Sequence, residues 1–150
     1  MTKLRDKLSM ILQQKGADAW SVAPAASVYE AIEMMADKQV GALLVMSGPR
    51  LVGIISERDY ARKVILKGKS SRQTQVAEIM SSPAITVTPA HTVDECMKIA
   101  TNNRIRHFPV VEGERVVGVL SIGDLVKWII SAHEQTIRHL HAYIAGSYPR

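Results

Sequence analysis

The sequence predicts an α/β (α+β) fold in which two pseudo-symmetric β-α-β-β-α repeats pack sheet to sheet, with flanking N- and C-terminal helices. Three observations carry this expectation. Adding 65 to each residue number from Val22 to Tyr60 lands on a counterpart in the second half, and twelve of the 39 pairs are identical, Val22/Val87, Pro24/Pro89, Gly53/Gly118, Ser56/Ser121 and Asp59/Asp124 among them. Each half places a capping box before apolar residues at helical spacing. Each half then joins two apolar runs through a Gly-containing turn, the pattern of a hairpin. A unit of about 60 residues leaves a sheet face that its own helices cannot cover, so the halves are expected to pack on each other around clefts.

Taken in order, Leu4, Leu8, Ile11 and Leu12 predict an amphipathic helix over residues 2–15, ended by Gly16. Ala19 to Val22 reads as a short extended piece. Ser27-Val28-Tyr29-Glu30 is a capping box, and Val28, Ala31, Ile32, Met35 and Ala36 form one helical face that ends near Lys38. Val40 to Met46 and Leu51 to Ile55 are strands joined by the turn Ser47-Gly48-Pro49-Arg50. A helix from Glu57 to Lys67 follows, then the polar turn Gly68 to Arg72, and Gln75 to Met80 carries the chain to Pro83. The second half repeats the order: a capping box at Thr92, the stripe Val93, Cys96, Met97 and Ala100, and a hairpin turn at Glu112 to Arg115. The last helix starts near Ile122, with Leu125, Trp128, Ile129 and Ala132 on one face, and the pattern continues through Ile137, Leu140 and Ile144 toward Gly146. The expected divisions are an N-terminal helix over 1–18, a first repeat over 19–70, a linker over 71–83, a second repeat over 84–130 and a C-terminal helix extension over 131–150.

With 47% apolar and 22% charged residues, the 150-residue chain has the composition of a globular domain with an adequate core. No apolar run approaches the roughly 20 residues needed to span a bilayer, and the first residues lack the apolar block of a signal peptide, so the expected compartment is the cytoplasm, with no membrane partner. Cys96 is the only cysteine, which precludes an intrachain disulfide, and the usual zinc-ligand spacing is missing, so no metal is expected. A net charge of +5 suits nucleic acid, a membrane surface or a phosphorylated small molecule. Aromatics make up only 5% and none interleaves with a basic run of the kind that stacks bases, which argues against nucleic acid.

Two segments concentrate the candidate chemistry. Gly53-Ile54-Ile55-Ser56-Glu57-Arg58-Asp59 and Gly118-Val119-Leu120-Ser121-Ile122-Gly123-Asp124 each run from a strand through a Ser into a helix start. Ser-x-x-Asp is by itself a helix cap. Its setting, at the end of a buried strand beside a cleft, is also where alternating sheet and helix folds hold ligands. The Asp carboxylate can accept from two neighbouring ribose hydroxyls, while the Ser hydroxyl, the helix N–H groups and Arg58 can hold phosphate. In the 65-residue register Gly41 and Ala42 stand opposite Arg106 and His107, and Arg58 opposite Gly123, so the two sites should be unequal. Arg104, Arg106 and His107 offer phosphate contacts across the cleft, or else a solvated basic edge with His107 packed on Phe108. Gly68-Lys69-Ser70 lacks the first glycine of a P-loop, His133-Glu134 lacks the second histidine of a zinc protease helix, and nothing resembles a nucleophile elbow.

The tandem unit, the paired Gly-h-h-Ser-x-x-Asp segments and the stretch Arg104-Ile105-Arg106-His107-Phe108-Pro109-Val110 together resemble the cystathionine-beta-synthase (CBS) domain pair, or Bateman module, over about Ala19 to Trp128. Arg104 to Val110, Ser121 to Asp124 and Tyr143 to Gly146 are similar to a bacterial stand-alone subgroup. The resemblance implies adenosine ligands (AMP, ADP, ATP, NAD(H) or S-adenosylmethionine) in the clefts, disc-like homodimers, and regulation in place of catalysis. By motif position it implies Asp59 and Asp124 on ribose, Ser56, Arg58 and Ser121 on phosphate, and Ser21, Val22, Thr86 and Val87 against base or ribose. The expected function is therefore a non-enzymatic, homodimeric energy or redox sensor for AMP, ADP, ATP or NAD(H), acting on an unidentified target protein. The alternatives are a constitutive dimerisation or docking module without ligand, and a hydrolase using His107.

Overall fold

In the computed structural model, which describes residues 2–16 and 18–131, the 65-residue register of the sequence is a register of hydrogen bonds. Strand β1 (Ser21–Val22) pairs in parallel with β2 (Ala42–Ser47), which pairs antiparallel with β3 (Arg50–Ser56). In the second half β4 (His107–Glu112) pairs antiparallel with β5 (Arg115–Ser121). Ala42 faces Ser56 and His107 faces Ser121, and the ladder shifts register after Val45 in one hairpin and after Val110 in the other. The parallel pair Val22–Val45 is matched by Val87–Val110, although Val87 makes only a single bridge. The fold is mixed α/β, as the repeats predict.

Helices α2 (Val28–Lys38) and α5 (Val93–Asn103) start on side-chain caps, Ser27 accepting from the Glu30 N–H at 3.1 Å and Thr92 from the Glu95 N–H at 3.1 Å. Both end on a non-glycine residue in the left-handed region, Gln39 (φ 57°) and Arg104 (φ 54°), again 65 positions apart. The predicted helix after β3 is α3 (Glu57–Tyr60), which widens into a π-helical stretch over Ala61–Ile65. Its counterpart α6 is described over Ile122–Ser131 as regular α-helix. The continuation through Ile137, Leu140 and Ile144 lies outside the described residues.

The single N-terminal helix expected over 2–15 is two pieces, a 3-10 turn (Thr2–Arg5) and α1 (Leu8–Lys15). The chain breaks between them because Lys7 pairs with Thr92 and the Asp6 carbonyl accepts from the Val93 N–H at 2.9 Å, which takes Asp6 and Lys7 out of the helical ladder. Residues 76–79 likewise form a short helix, α4 (Val76–Ile79).

These two helices complete the repeats in reverse order. The N–H groups of Leu8 and Ser9 bond the carbonyls of His91 and Pro89, while those of Val76 and Ala77 bond Ala26 and Pro24. Thus α1, first in the chain, caps the second repeat, and α4 caps the first. The acceptors are related by the shift of 65, but the donors are related by 68. The same 68-residue relation joins Ile11 to Ile79, each inside its repeat's core, and Leu12 to Met80, which cover Gly118 and Gly53. A Cβ at Gly53 would stand 2.7 Å from the Ser81 carbonyl oxygen, so this position needs glycine for the covering backbone to approach, whereas one at Gly118 would meet only Leu12 Cδ2, at 2.7 Å, the end of a side chain that can turn aside. One core gathers Leu8, Ile11, Val87, Val93, Cys96, Phe108, Val110, Leu120 and Leu125, and the other Val28, Ala31, Met35, Leu43, Val45, Ile55, Val64, Val76 and Ile79.

Candidate functional site

Strand β3 delivers Ser56 to the first turn of α3, where backbone N–H groups lack helical partners. Asp59 Oδ2 accepts from the Ser56 N–H at 2.9 Å and from Ser56 Oγ at 3.1 Å, while the Asp59 N–H donates to Ser56 Oγ at 3.2 Å. The segment is thus a complete capping box. Asp59 Oδ1 stands 3.1 Å from Lys63 Nζ, which also donates to the Ile79 carbonyl at 2.9 Å.

This helix start opens on a cleft of about 400 Å³. Ala42, Ser56, Arg58, Asp59, Arg62 and Lys63 form its wall on the first repeat. The facing wall is Asn103 to His107, swung into place by the left-handed residue Arg104 and tied down by the Ile122 N–H on the Arg106 carbonyl at 2.9 Å. Ser81, Pro83 and Ile85 close a third side, held by the two-way bridge between Ile54 and Ser81. Five fixed cations, Arg58, Arg62, Lys63, Arg104 and Arg106, therefore line this cavity with one carboxylate, Asp59. Such a wall attracts an anion of more than one charge.

His107 reaches across the boundary between repeats. Burial lowers its pKa, against the pull of the Asp124 and Glu57 carboxylates and with the help of Lys15 and Arg106. The imidazole is thus held neutral at pH 7, where it can donate or accept one hydrogen bond.

The second repeat repeats the cap but not the cavity. Asp124 Oδ2 accepts from the Ser121 N–H at 2.8 Å and from Ser121 Oγ at 3.1 Å, and the Asp124 N–H donates to Ser121 Oγ at 3.2 Å. The same oxygen accepts from Lys15 Nζ at 2.7 Å. Burial alone would raise the Asp124 carboxyl, but the hydrogen bonds from Lys15 and Ser121 outweigh it and hold the group below the usual carboxylate range. Ser121 lines a cavity of about 650 Å³ together with Arg58, Thr101, Arg104, Arg106, His107 and Gly123. Asp124 lines a different one of about 350 Å³, with Ile11, Gln14, Lys15, Lys127 and Trp128.

Of the residues singled out in the sequence, Ala42, Ser56, Arg58, Asp59, Arg106 and His107 meet in the first cleft, and Arg58, Arg106, His107 and Ser121 in the second cavity. Asp124, although bonded to Ser121, lines a different cavity. Thr86 lines a separate hollow beside Arg50, Leu51 and Gly113, Val87 is fully buried, and Ser21 and Val22 pair with Leu44 and Val45 away from these walls. Missing from the sequence reading are Arg62 and Lys63, which follow Arg58 and Asp59 by one helical turn and could have been found from that spacing. Lys15 had no such signal, since it meets Asp124 across 109 positions. Cys96 is buried, with its thiol pushed up to about 12, and takes no part. Among the described residues no three His, Cys, Asp or Glu side chains gather in a metal-holding group, and no helix is long and apolar enough to cross a membrane.

Comparison with known proteins agrees with this architecture. The model of the CBS domain matches residues 17–66 and 76–131. The mitochondrial CBS domain-containing protein CBSX3 of Arabidopsis thaliana is 43% identical over 127 residues, which cover 81% of this chain and 62% of that one, so the chain spans less than two thirds of that relative. The structure of a protein with CBS domains from Burkholderia ambifaria superimposes with a TM-score of 0.81 at 44% identity, covering 83% of this chain and 94% of the other. A CBS domain protein from Pyrobaculum aerophilum, complexed with AMP, superimposes with a TM-score of 0.70 at 28% identity over 79% of this chain and 88% of the other.

Proposed function

This chain belongs to the CBS-domain family, and from that premise we propose that it is a non-catalytic regulatory module that binds a phosphorylated adenosine ligand, AMP, ADP, ATP or NAD(H), between its repeats. The observation that carries the proposal is the first cleft, where Asp59 stands among five fixed cations. The carboxylate suits a ribose diol, and the side chains of Arg58, Arg104 and Arg106 suit phosphate, since the N–H groups of Ser56, Glu57 and Asp59 are already taken within the protein. A volume of about 400 Å³ is within the range of small-molecule pockets. The AMP bound by the Pyrobaculum relative is in keeping with this choice. The charge balance also ranks the ligands: a di- or triphosphate is favoured over a monophosphate, and a sulfonium ligand, itself cationic, is disfavoured.

The module acts as a homodimer in this reading, sensing energy or redox state and passing the signal to a target protein. Support for the dimer comes from apolar side chains in solvent at matched positions of the two repeats, Ile65 (55% exposed) and Ile130 (44%), flanked by Leu66 (77%) and Val126. The same patch favours the second reading, a dimerisation module that needs no ligand. Thermal denaturation with and without ATP separates the two. A ligand at about 100 times its Kd stabilises the fold by roughly 2.7 kcal/mol, whereas an unliganded module leaves the transition unmoved.

A further inference from the structure

We propose that the cavity beside Ser121 and Gly123 takes the terminal phosphates of a nucleotide whose ribose sits on Asp59, so that the protein selects its ligand by the length of the phosphate chain. The inference rests on the reading of the first cleft as a nucleotide site, and it assigns that ligand a second subsite.

The two cavities share a wall. Arg58, Arg104, Ile105, Arg106 and His107 line the first cleft of about 400 Å³ and also the second cavity of about 650 Å³. An anionic chain running along these residues passes from one cavity into the other beside the same cations. Beyond the shared wall the two differ. The first cleft has Asp59 and Lys63, joined by an ion pair at 3.1 Å. The second has Thr101, Ser121 and Gly123, and no carboxylate. Of the four cavities described, this one alone has cations without an acidic residue in its wall: Asp124 accompanies Lys15 and Lys127 in one, and Glu114 accompanies Arg50 in another.

The shared guanidinium groups are not spent inside the protein. Among the described residues the ion pairs involve Lys15, Lys38, Lys63, Lys98 and Arg115, and none involves Arg58, Arg104 or Arg106. Arginine presents paired donors that match the oxygens of phosphate. A second nucleoside fits this cavity poorly, because a ribose diol calls for a carboxylate and Asp124 lines a different one. Gly123 keeps the space open: a Cβ there would meet only Ser121 Oγ, at 3.5 Å. Its counterpart in the 65-residue register, Arg58, lines the same cavity, which thus lies between the starts of α3 and α6. AMP then occupies the first cleft alone, while the outer phosphates of ATP reach the second cavity and gain the attraction of its cations.

The test is calorimetric titration of the full chain with AMP and with ATP in wild type, Asp59→Asn, Gly123→Asp, Gly123→Asn and Lys127→Glu. Gly123→Asp puts a carboxylate into the second cavity only. Residue 123 has no left-handed φ and stands in the first turn of α6, where an acidic side chain is favourable, so the fold should persist, and thermal melts check it. The expected result is that Asp59→Asn weakens both ligands. Gly123→Asp should lower ATP affinity at least about tenfold and AMP affinity by less than about threefold, through repulsion of the outer phosphates and pairing with the arginines, and the neutral Gly123→Asn should stay near wild type. Lys127→Glu, one helical turn along α6 and on the wall of another cavity, changes the net charge by more and should cost ATP less. If Gly123→Asp leaves ATP binding unchanged, lowers AMP and ATP alike, or costs no more than Lys127→Glu, the subsite is wrong and the nucleotide reading stands. If wild type binds neither ligand, the nucleotide reading fails and the subsite falls with it.

Discussion

His107 of the second repeat packs against Gly41 of the first: a Cβ built at residue 41 would lie 3.2 Å from His107 Cε1 and 3.1 Å from Glu57 Oε1. The 65-residue register gives His107 the counterpart Ala42 and Gly41 the counterpart Arg106. The repeats have therefore diverged where they meet, with bulk and charge from one half filling space vacated by the other. The Gly41 carbonyl also accepts from the Glu57 N–H at 3.0 Å, so this contact sits beside the helix start that bears Asp59.

Gly41→Ala should displace the His107 ring and the Glu57 side chain by a few tenths of an ångström. Both are side chains and can give way, so the melting transition should stay within about 1 kcal/mol of wild type. ATP affinity should fall about fivefold, the equivalent of about 1 kcal/mol. Calorimetry on the variant checks both parts.

The His107 environment sets a pH dependence whose sign can be worked out. Its folded pKa lies below its ordinary value of about 6.5, so as pH falls the unfolded chain takes up the proton first. Stability is fully present above about pH 6.5, is lost as pH drops toward the folded pKa, and changes no further below it. Thermal melts between about pH 7.5 and pH 5.5 should therefore show a smaller loss for His107→Gln than for wild type. An equal loss would place the titration on another group.

The reversed capping helices predict local effects of distant mutations. Leu8→Ala removes a fully buried side chain from the second core and should cost about 2–5 kcal/mol. Amide exchange should speed up in residues 87–125 while residues 28–64 keep their protection, although Leu8 lies ahead of the first repeat in the chain. Val76→Ala should give the opposite pattern.

Ile65→Asp and Ile130→Asp place charge on the matched apolar patches. Sedimentation should show the double variant as a monomer with an unchanged far-UV spectrum, while wild type sediments as a dimer. A monomeric wild type would remove the dimer from the account.

How far the sequence reaches depends on which symmetry a residue obeys. The repeat tied to the shift of 65 was legible, its two hairpins included, since Val22/Val87, Gly53/Gly118 and Ser56/Ser121 survive as identities, but the ladder shifts and the left-handed ends at Gln39 and Arg104 were not. The reversed capping helices were hidden because their pairs are related by 68, and of Leu8/Val76, Ile11/Ile79, Leu12/Met80 and Lys15/Pro83 only one is an identity. The π-helical stretch from Ala61 to Ile65 has an ordinary helical pattern and gave no signal. For the candidate site, the Ser-x-x-Asp caps and the Arg104 to His107 wall could be read from the chain. Their allocation to cavities could not, because it depends on contacts between distant segments, such as that of Lys15 with Asp124 across 109 positions.

The most direct test of the nucleotide-binding account is calorimetric titration of ATP into the wild-type chain and into Asp59→Asn, with S-adenosylmethionine as the cationic control. Asparagine can still accept from the Ser56 N–H, so the cap and the fold should persist. The account predicts saturable ATP binding to wild type, loss of at least about tenfold in affinity in Asp59→Asn, about the cost of one charge-assisted hydrogen bond, and weaker binding of the sulfonium ligand. Equal ATP binding by the two proteins, or no binding by wild type, would contradict it.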